Sequence, residues 1–301
     1  MTSIIKLDTP AYVLRTCLAD MRAPSPHAKG FTWPESGHVI APDFRDDTRC
    51  GGGLHGALWG AGDASLFTWS ADAKWLVVEV DHYVELDGKV KFREGNVVHC
   101  GDKASATGFL HSKSNTAAII GLTVTGGDGS TLTGGYGSTL TGGYGSTLTG
   151  GYGSTLTGGD GSTLTGGYGS TLTGGYGSTL TGGYGSTLTG GYGSTLTGGY
   201  GSTLTGGDGS TLTGGYGSTL TGGYGSTLTG GYGSTLTGGY GSTLTGGYGS
   251  TLTGGDGSTL VFRFWDDSTG RYRIKCFEVD DTEVVGGRPY RLSSAGVLMP
   301  A

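Results

Sequence analysis

Threonine is the residue whose type and spacing carry chemistry in this chain. Between residues 126 and 261 it recurs as Thr-x-Thr once every eight positions, inside the string Ser-Thr-Leu-Thr. Each threonine sets a hydroxyl, which donates one hydrogen bond and accepts others, beside a methyl group, and β-branching restricts how the side chain turns. The same stretch has no His, Cys, Lys or Glu. The stretch is not catalytic, and its chemistry is reversible hydrogen bonding, above all to ordered water.

That chemistry depends on the elements holding the threonines. Side chains alternate along a strand, so a strand that turns Leu132 inward also turns Ser130 inward and points Thr131 and Thr133 to solvent. The reverse assignment would expose every leucine and is rejected. The remaining half of the octad, Gly-Gly-(Tyr/Asp)-Gly, supplies the bend, because glycine reaches the positive-φ conformations of tight turns without a Cβ clash. One octad is one strand plus one corner, and two octads close a flattened 16-residue coil. A single coil buries too little to fold alone, so coils must stack through shared backbone hydrogen bonds and side-chain ladders. Seventeen octads run from Gly126 to Val261, with Val261 in place of the last threonine. They predict a narrow β-solenoid roughly 40 Å long at the strand spacing.

Taken at 16-residue intervals, the threonines fall in pairs on two faces. One face carries Thr123 and Thr125, Thr139 and Thr141, Thr155 and Thr157, Thr171 and Thr173, Thr187 and Thr189, Thr203 and Thr205, Thr219 and Thr221, Thr235 and Thr237, and Thr251 and Thr253. The other carries Thr131 and Thr133, Thr147 and Thr149, Thr163 and Thr165, Thr179 and Thr181, Thr195 and Thr197, Thr211 and Thr213, Thr227 and Thr229, and Thr243 and Thr245, then Thr259. Within a rank the two threonines stand about 6.8 Å apart, and ranks repeat at about 4.8 Å. Such a lattice can hold water in a repeating layer, and these threonines are the candidate water- and ice-binding residues.

Tyrosine and aspartate are sorted by edge. Tyr136, Tyr152, Tyr168, Tyr184, Tyr200, Tyr216, Tyr232 and Tyr248 form an unbroken ladder on one edge. On the other, Asp128, Asp160, Asp208 and Asp256 interrupt Tyr144, Tyr176, Tyr192, Tyr224 and Tyr240. The continuous ladder is a candidate self-association surface, giving a homo-oligomer, while the acidic edge opposes pairing and aids solubility. Stacking that only rigidifies the corner is the plainer alternative.

Outside the array the sequence is of ordinary complexity. Residues 1–101 read as a small α+β domain of unknown function, with Trp75–Val80 and Val90–Phe92 as strands and a tight turn at Asp87-Gly88. Residues 102–125 drift into octad register and read as capping coils, 126–261 are the solenoid, and 262–301, with Phe262-Arg-Phe-Trp265 and Arg271-Tyr-Arg-Ile274, read as a short β cap. The expected fold is thus mainly β: a solenoid between a small α+β domain and a C-terminal cap.

Charge narrows the partners. All 18 Lys and Arg lie outside the array, while four of the 24 acidic residues lie within it, so the array is acidic and the flanks nearly balanced. Phosphate neutralisation needs clustered basic side chains, which sets a nucleic-acid partner aside. The start, MTSIIKLDTPAYVLRT, lacks a basic region followed by a long apolar core, and no run approaches a membrane-spanning length. A cytoplasmic location is the default expectation. Cys17, Cys50, Cys100 and Cys276 are widely spaced, which points to free thiols; with His55 and His99 they offer at most a weak zinc set, and no metal or cofactor is expected.

The combination of Gly-Tyr-Gly-Ser-Thr-x-Thr, a 16-residue coil and a 48-residue higher order resembles the central repeats of bacterial ice nucleation proteins. Ser258-Thr-Leu-Val-Phe-Arg-Phe-Trp-Asp266 followed by Arg271-Tyr-Arg273 looks like that family's C-terminal segment. The resemblance implies a water-organising solenoid whose Thr-x-Thr rows template ice, whose tyrosine ladder helps it multimerise, and which can associate with the cell surface. Four departures stand out. Gly replaces the usual Ala at the first octad position, both octads of a coil carry Thr-x-Thr, the array is short, and basic terminal coils are missing. Weak nucleation or ice-growth inhibition is therefore expected rather than potent nucleation. The N-terminal stretches Cys50-Gly-Gly-Gly-Leu-His-Gly56, Trp59-Gly60, Trp75–Val80 and Val97–Asp102 look instead like an uncharacterised domain of bacterial and phage proteins, which implies no activity.

Other readings stay open on residues alone. A disordered Gly/Ser/Thr linker conflicts with the fixed phase of every leucine and with the lack of proline, lysine and glutamate in the array. Calcium binding of the β-roll type lacks its repeated carboxylate. A structural or adhesive rod needs only regularity. An enzymatic N-terminal domain would need His55 brought together with acids such as Asp63 or Glu79.

Overall fold

A computed structural model describes residues 4–23, 31–113 and 118–301. The first three residues of the chain start, and residues 114–117 inside the segment expected to cap the stack, lie outside the described residues. The chain divides into two compact units: residues 1–124 with 133–139, and residues 125–132 with 140–301.

Among the described residues the first unit is built on six strands, β1 (Ile4–Cys17), β2 (Gly37–Ile40), β3 (Leu54–Leu58), β4 (Lys74–Leu86), β5 (Lys89–Phe92) and β6 (Glu94–Gly101), followed by one helix, α1 (Lys103–Lys113). Their order in the sheet is β1-β3-β5-β4-β6-β2, and β1 also pairs with β4. Strand β1 makes that second pairing in two stretches, Ile4–Lys6 against His82–Val84 and Ala11–Cys17 against Lys74–Val80, with a register shift between them. Pro10 falls in the shift, where a residue without an N–H is tolerated. The β4–β5 turn is Asp87-Gly88, with Leu86 opposite Lys89 and Gly88 at φ +68°, as the Asp-Gly signal predicts. Val13, Leu76, Val78, Val90, Phe92 and Val97 form the centre of the core. Helix α1 begins on Asp102, whose Oδ1 accepts the Ser105 N–H at 2.8 Å, and it buries Ala106, Thr107 and Leu110. Of the segment 102–125, therefore, residues 103–113 are helical and Thr123–Thr125 are extended.

The array is a β-solenoid of 16-residue coils. Each three- or four-residue strand pairs in parallel with the strand one coil on, in unbroken register: Thr163 with Thr179, Leu164 with Leu180, Thr165 with Thr181. Two sheets result, one of ten strands and one of eleven. The leucines from Leu140 to Leu260 are fully buried and the serines beside them almost so. In the middle of the stack a serine hydroxyl donates to the glycine carbonyl three residues earlier, as from Ser186 to Gly183 at 2.8 Å. Towards the C-terminal end the donation crosses to the preceding coil, as from Ser250 to the Gly231 carbonyl at 3.1 Å.

The three glycines of an octad have three different jobs. In the octad starting at Gly198, a Cβ on Gly198 would lie 2.3 Å from Ser202 Oγ and 2.7 Å from Leu204 Cδ1. One on Gly199 would meet the backbone of the coil before, 2.9 Å from Tyr184 N and 3.0 Å from Gly183 C. Gly201 has open space around it but sits at φ +62°, as the third residue of a β-turn requires. The Gly for Ala departure noted above follows from the first of these contacts: serine and leucine already fill the interior of the coil.

The solenoid ends without a break in the chain. The strand Thr259–Asp266 continues the ten-stranded sheet from the last octad and folds back into Arg271–Glu278, antiparallel, with Val261 opposite Cys276 and Trp265 opposite Tyr272. Asp266 holds the turn by accepting from Ser268 N at 3.0 Å, Ser268 Oγ at 2.6 Å and Arg273 Nη1 at 3.1 Å. These donors, the serine hydroxyl foremost, hold its carboxyl down at about 2. The eleven-stranded sheet ends in two short strands, Tyr290–Leu292 and Leu298–Pro300.

Candidate functional site

The site is a pair of surfaces, and the local fold generates it by repetition. A strand whose centre is a buried leucine must present its two flanking residues outward, and from Thr147 to Thr243 every threonine of both faces is exposed. At the ends of the array the exposure falls: Thr123, Thr133, Thr139, Thr141, Thr245, Thr251 and Thr253 are half-buried, while Thr125, Thr131 and Thr259 remain exposed. Along the interior of the array the first threonine of a pair also fixes the stack, since its N–H donates to the serine carbonyl of the preceding coil, 2.8 Å from Thr179 to Ser162. The second ties the same coils through its carbonyl, which accepts from a glycine N–H one coil earlier, 2.8 Å from Gly142 to Thr157 and 2.9 Å from Gly158 to Thr173. Its side chain stays outward along the interior of both faces, at Thr149, Thr165, Thr181, Thr197, Thr213 and Thr229 on one and at Thr157, Thr173, Thr189, Thr205, Thr221 and Thr237 on the other. In-register parallel pairing sets like residue beside like residue, so the hydroxyl–methyl pattern of one rank repeats in the next at the strand spacing of about 4.8 Å. Each side chain is held by a sheet hydrogen-bonded on both sides, which restricts both its position and its rotamer.

The continuous edge is a stack of aromatic rings. From Tyr152 to Tyr232 neighbouring rings lie 4.7–5.0 Å apart and within 5° of parallel. The last step, to Tyr248, opens to 5.4 Å and tilts by 32°. Tyr136 belongs to the first unit, where its ring meets Trp69 at 5.4 Å. The rings of Tyr152 to Tyr232 are about half exposed, so the edge offers a row of phenol faces and hydroxyls to a partner.

On the other edge the aspartates do more than break the row. Oδ1 of Asp128, Asp160 and Asp208 accepts the backbone N–H of the tyrosine one coil on, Tyr144, Tyr176 and Tyr224, at 2.8–2.9 Å. Each carboxylate thus links two coils at the corner, a bond a tyrosine side chain in its place cannot make. Between the aspartates the tyrosines stack only as pairs, Tyr176 with Tyr192 at 5.3 Å and Tyr224 with Tyr240 at 5.5 Å. Sequence reasoning missed the clamp. The signal was present, because a short carboxylate at a turn position satisfies nearby peptide N–H groups.

The N-terminal candidates do not converge. His55 lies on β3 opposite Lys91, and burial together with Lys89, Arg15 and Lys91 lowers its imidazole to about 4. It is therefore neutral at pH 7 and surrounded by cations. Asp63 caps the short turn at Ala64–Leu66 through Ser65 N at 2.9 Å, and Glu79 faces Tyr12 across the β1–β4 pairing, where burial and the nearby carboxylate raise the phenol. No acid–base pair is assembled from the three. The cysteines are free and scattered: Cys17 is buried, which pushes its thiol up to about 11, Cys100 is half-buried, and Cys50 and Cys276 are exposed. Among the described residues no group of three or more His, Cys, Asp or Glu could hold a metal ion, and no helix is long and apolar enough to cross a membrane.

Comparison with known proteins points to the array. The chain is 40% identical over 107 residues to an ice nucleation protein of Pseudomonas syringae, a stretch covering 34% of this chain and 9% of that protein. It is 41% identical over 111 residues to ice nucleation protein InaU of Pantoea ananas, covering 35% and 10%. To an ice nucleation protein of Xanthomonas campestris pv. translucens it is 60% identical over 101 residues, covering 32% and 6%. The matches fall in the repeat region, so the chain spans a tenth or less of the length of these relatives. No family model matches the chain, and no solved structure matches it.

Proposed function

We propose that the two threonine faces order water into an ice-like layer, so that the chain acts as a weak ice nucleator or as an inhibitor of ice growth. The observation that carries this reading is the unbroken parallel register of the Thr-x-Thr strands, which turns single hydroxyls into a two-dimensional lattice. The repeat-region similarity to proteins named for ice nucleation supports it. Activity is expected to be modest, because the free energy of an ice embryo falls with the area of its template and these seventeen octads offer a small one. In droplet-freezing and ice-recrystallisation assays the folded chain should raise the median freezing temperature above buffer or keep ice grains small. A folded chain that does neither would be a structural or adhesive rod, and the reading would be lost.

The tyrosine ladder is the proposed side-by-side association surface. Half-exposed rings in a rigid row bury apolar area with little loss of side-chain freedom when a partner covers them. Replacing Tyr152, Tyr168, Tyr184 and Tyr200 by Ser should remove lateral association in sedimentation velocity. Identical sedimentation before and after the change would leave the ladder a corner stiffener. The acidic edge, interrupted by its clamps, is the side proposed to stay free.

A further inference from the structure

The strand Arg271–Glu278 is the terminal strand of the ten-stranded sheet, and among the described residues no strand pairs with its far side. It is eight residues long where the solenoid strands have three or four. An open edge of that length is usually blunted by proline, a bulge, outward charge or a covering segment. The eleven-stranded sheet follows that practice, ending on a three-residue strand that finishes in Pro300. The open strand has no proline, and its pairing with Thr259–Asp266 is unbroken over eight residues. Its outward row is apolar: Tyr272 is 50% and Ile274 66% exposed, next to an exposed Cys276. Two of its three cations are drawn back onto their own chain. Arg273 bonds Asp266 at 3.1 Å, and Lys275 bonds the Gly296 carbonyl at 2.6 Å while lying over the Phe264 ring.

We propose that this edge is an interface for a second copy of the chain, the two Arg271–Glu278 strands pairing antiparallel about a twofold axis normal to the sheet. Charge selects both the partner and the register. The strand is basic in its first half and acidic at its end, with Glu278 followed by Asp280 and Asp281, so an antiparallel copy brings opposite signs together. Under this symmetry one residue must face its own equivalent. Four such centres overlap the strands by five or more residues: Arg273, Ile274, Lys275 and Cys276. The first and third set a cation against itself, and the second sets Arg273 against Lys275. Only the centre on Cys276 opposes no like charges. It places Lys275 against Phe277 of the second copy and directs Arg271 towards the second copy's Asp281. Because a twofold normal to the sheet keeps each face on its own side, the joined sheet carries the threonine face of Thr163 and Thr165 from both copies on one surface.

The test uses the full chain with Cys50→Ser, which removes the other exposed thiol. Cα atoms facing each other across an antiparallel pair stand about 4.5–5.5 Å apart, within disulfide reach. Diamide, which takes up the two protons and two electrons released, should convert the chain to a disulfide-linked dimer whose joined peptides both contain Cys276. Without oxidant, Cys276→Ser should still sediment as a reversible dimer. Ile274→Glu, at a side chain already exposed, should weaken the dimer at least about tenfold, because the Cys276 register sets it against Glu278 of the second copy, and should slow the cross-link accordingly. The tyrosine-to-serine variant keeps this hairpin and should remain dimeric, which separates end pairing from lateral association. Freezing activity is not a readout, so failure here leaves the proposed function standing. A chain that stays monomeric through the micromolar range, or a Cys276 cross-link indifferent to Ile274→Glu, would overturn the proposal.

Discussion

Lysine at Thr163, Thr195 and Thr227 is expected to lower the median freezing temperature of droplets towards that of buffer and to weaken any restraint on ice growth. The three positions lie on one face, all are exposed, and they sit two coils apart, about 10 Å at the strand spacing. That separation keeps the new charges from crowding one another, so the sheet should survive, as far-ultraviolet circular dichroism would show. An ammonium on a flexible four-carbon stem binds water strongly in its own geometry and projects past the neighbouring methyls. Three such interruptions leave no uninterrupted patch on that face longer than a few ranks. The opposite face, with Thr171, Thr173 and their neighbours, remains intact, so the result also shows whether the two faces act alike. A folded triple variant that freezes droplets at the original temperature would end the claim that this face templates ice.

The largest expected loss of stability comes from a single methyl group. Gly199→Ala is predicted to destabilise the array by at least about 3 kcal/mol, at or beyond the upper end of ordinary overpacking. The added Cβ is met by peptide atoms of Gly183 and Tyr184 at 2.9–3.1 Å, which cannot rotate away as a side chain would. The coils must separate, and the Gly199 N–H to Gly183 carbonyl bond, already 3.2 Å long, is the first lost. Gly201→Ala, two residues on, meets nothing and should cost only about 1–2 kcal/mol for its left-handed backbone. Gly198→Ala should fall between them, because Ser202 and Leu204 can adjust in part. Thermal unfolding followed by circular dichroism gives the order; equal losses at Gly199 and Gly201 would show that the close approach of successive coils does not control stacking.

The array was readable because one rule is applied seventeen times. Leu132 and Ser130 had to share a side, and a burial rule that decides one strand decides all of them. The two-octad coil, the two faces and the sorting of Tyr152 and Asp160 onto opposite edges all follow from that phase. The first unit yielded less. Asp87-Gly88 marks its turn between two β-rich runs, but the pairing of β1 with both β3 and β4 depends on contacts far apart in sequence. Helix α1 leaves a faint trace, since Thr107 and Gly108 are poor helix formers in its middle and its apolar residues make no clear stripe. The turn carboxylate of Asp160 was in view but its partner, Tyr176 N, was not, and the open strand at Ile274 left no trace: each depends on what lies one coil or one strand away in space.

The parallel register also governs how such a gene can change length. Removing or duplicating sixteen residues deletes or adds one storey of the building and leaves every storey above it with the same neighbours, so a gain or loss of one whole coil yields a foldable product almost anywhere along the array. A change of eight residues is different. It turns all later storeys by half a revolution, carrying Asp208 onto the side of Tyr200 and the terminal hairpin onto the other wall. Growth by whole coils is therefore permitted and growth by half coils is penalised, which leaves the number of storeys free to drift while their orientation stays fixed.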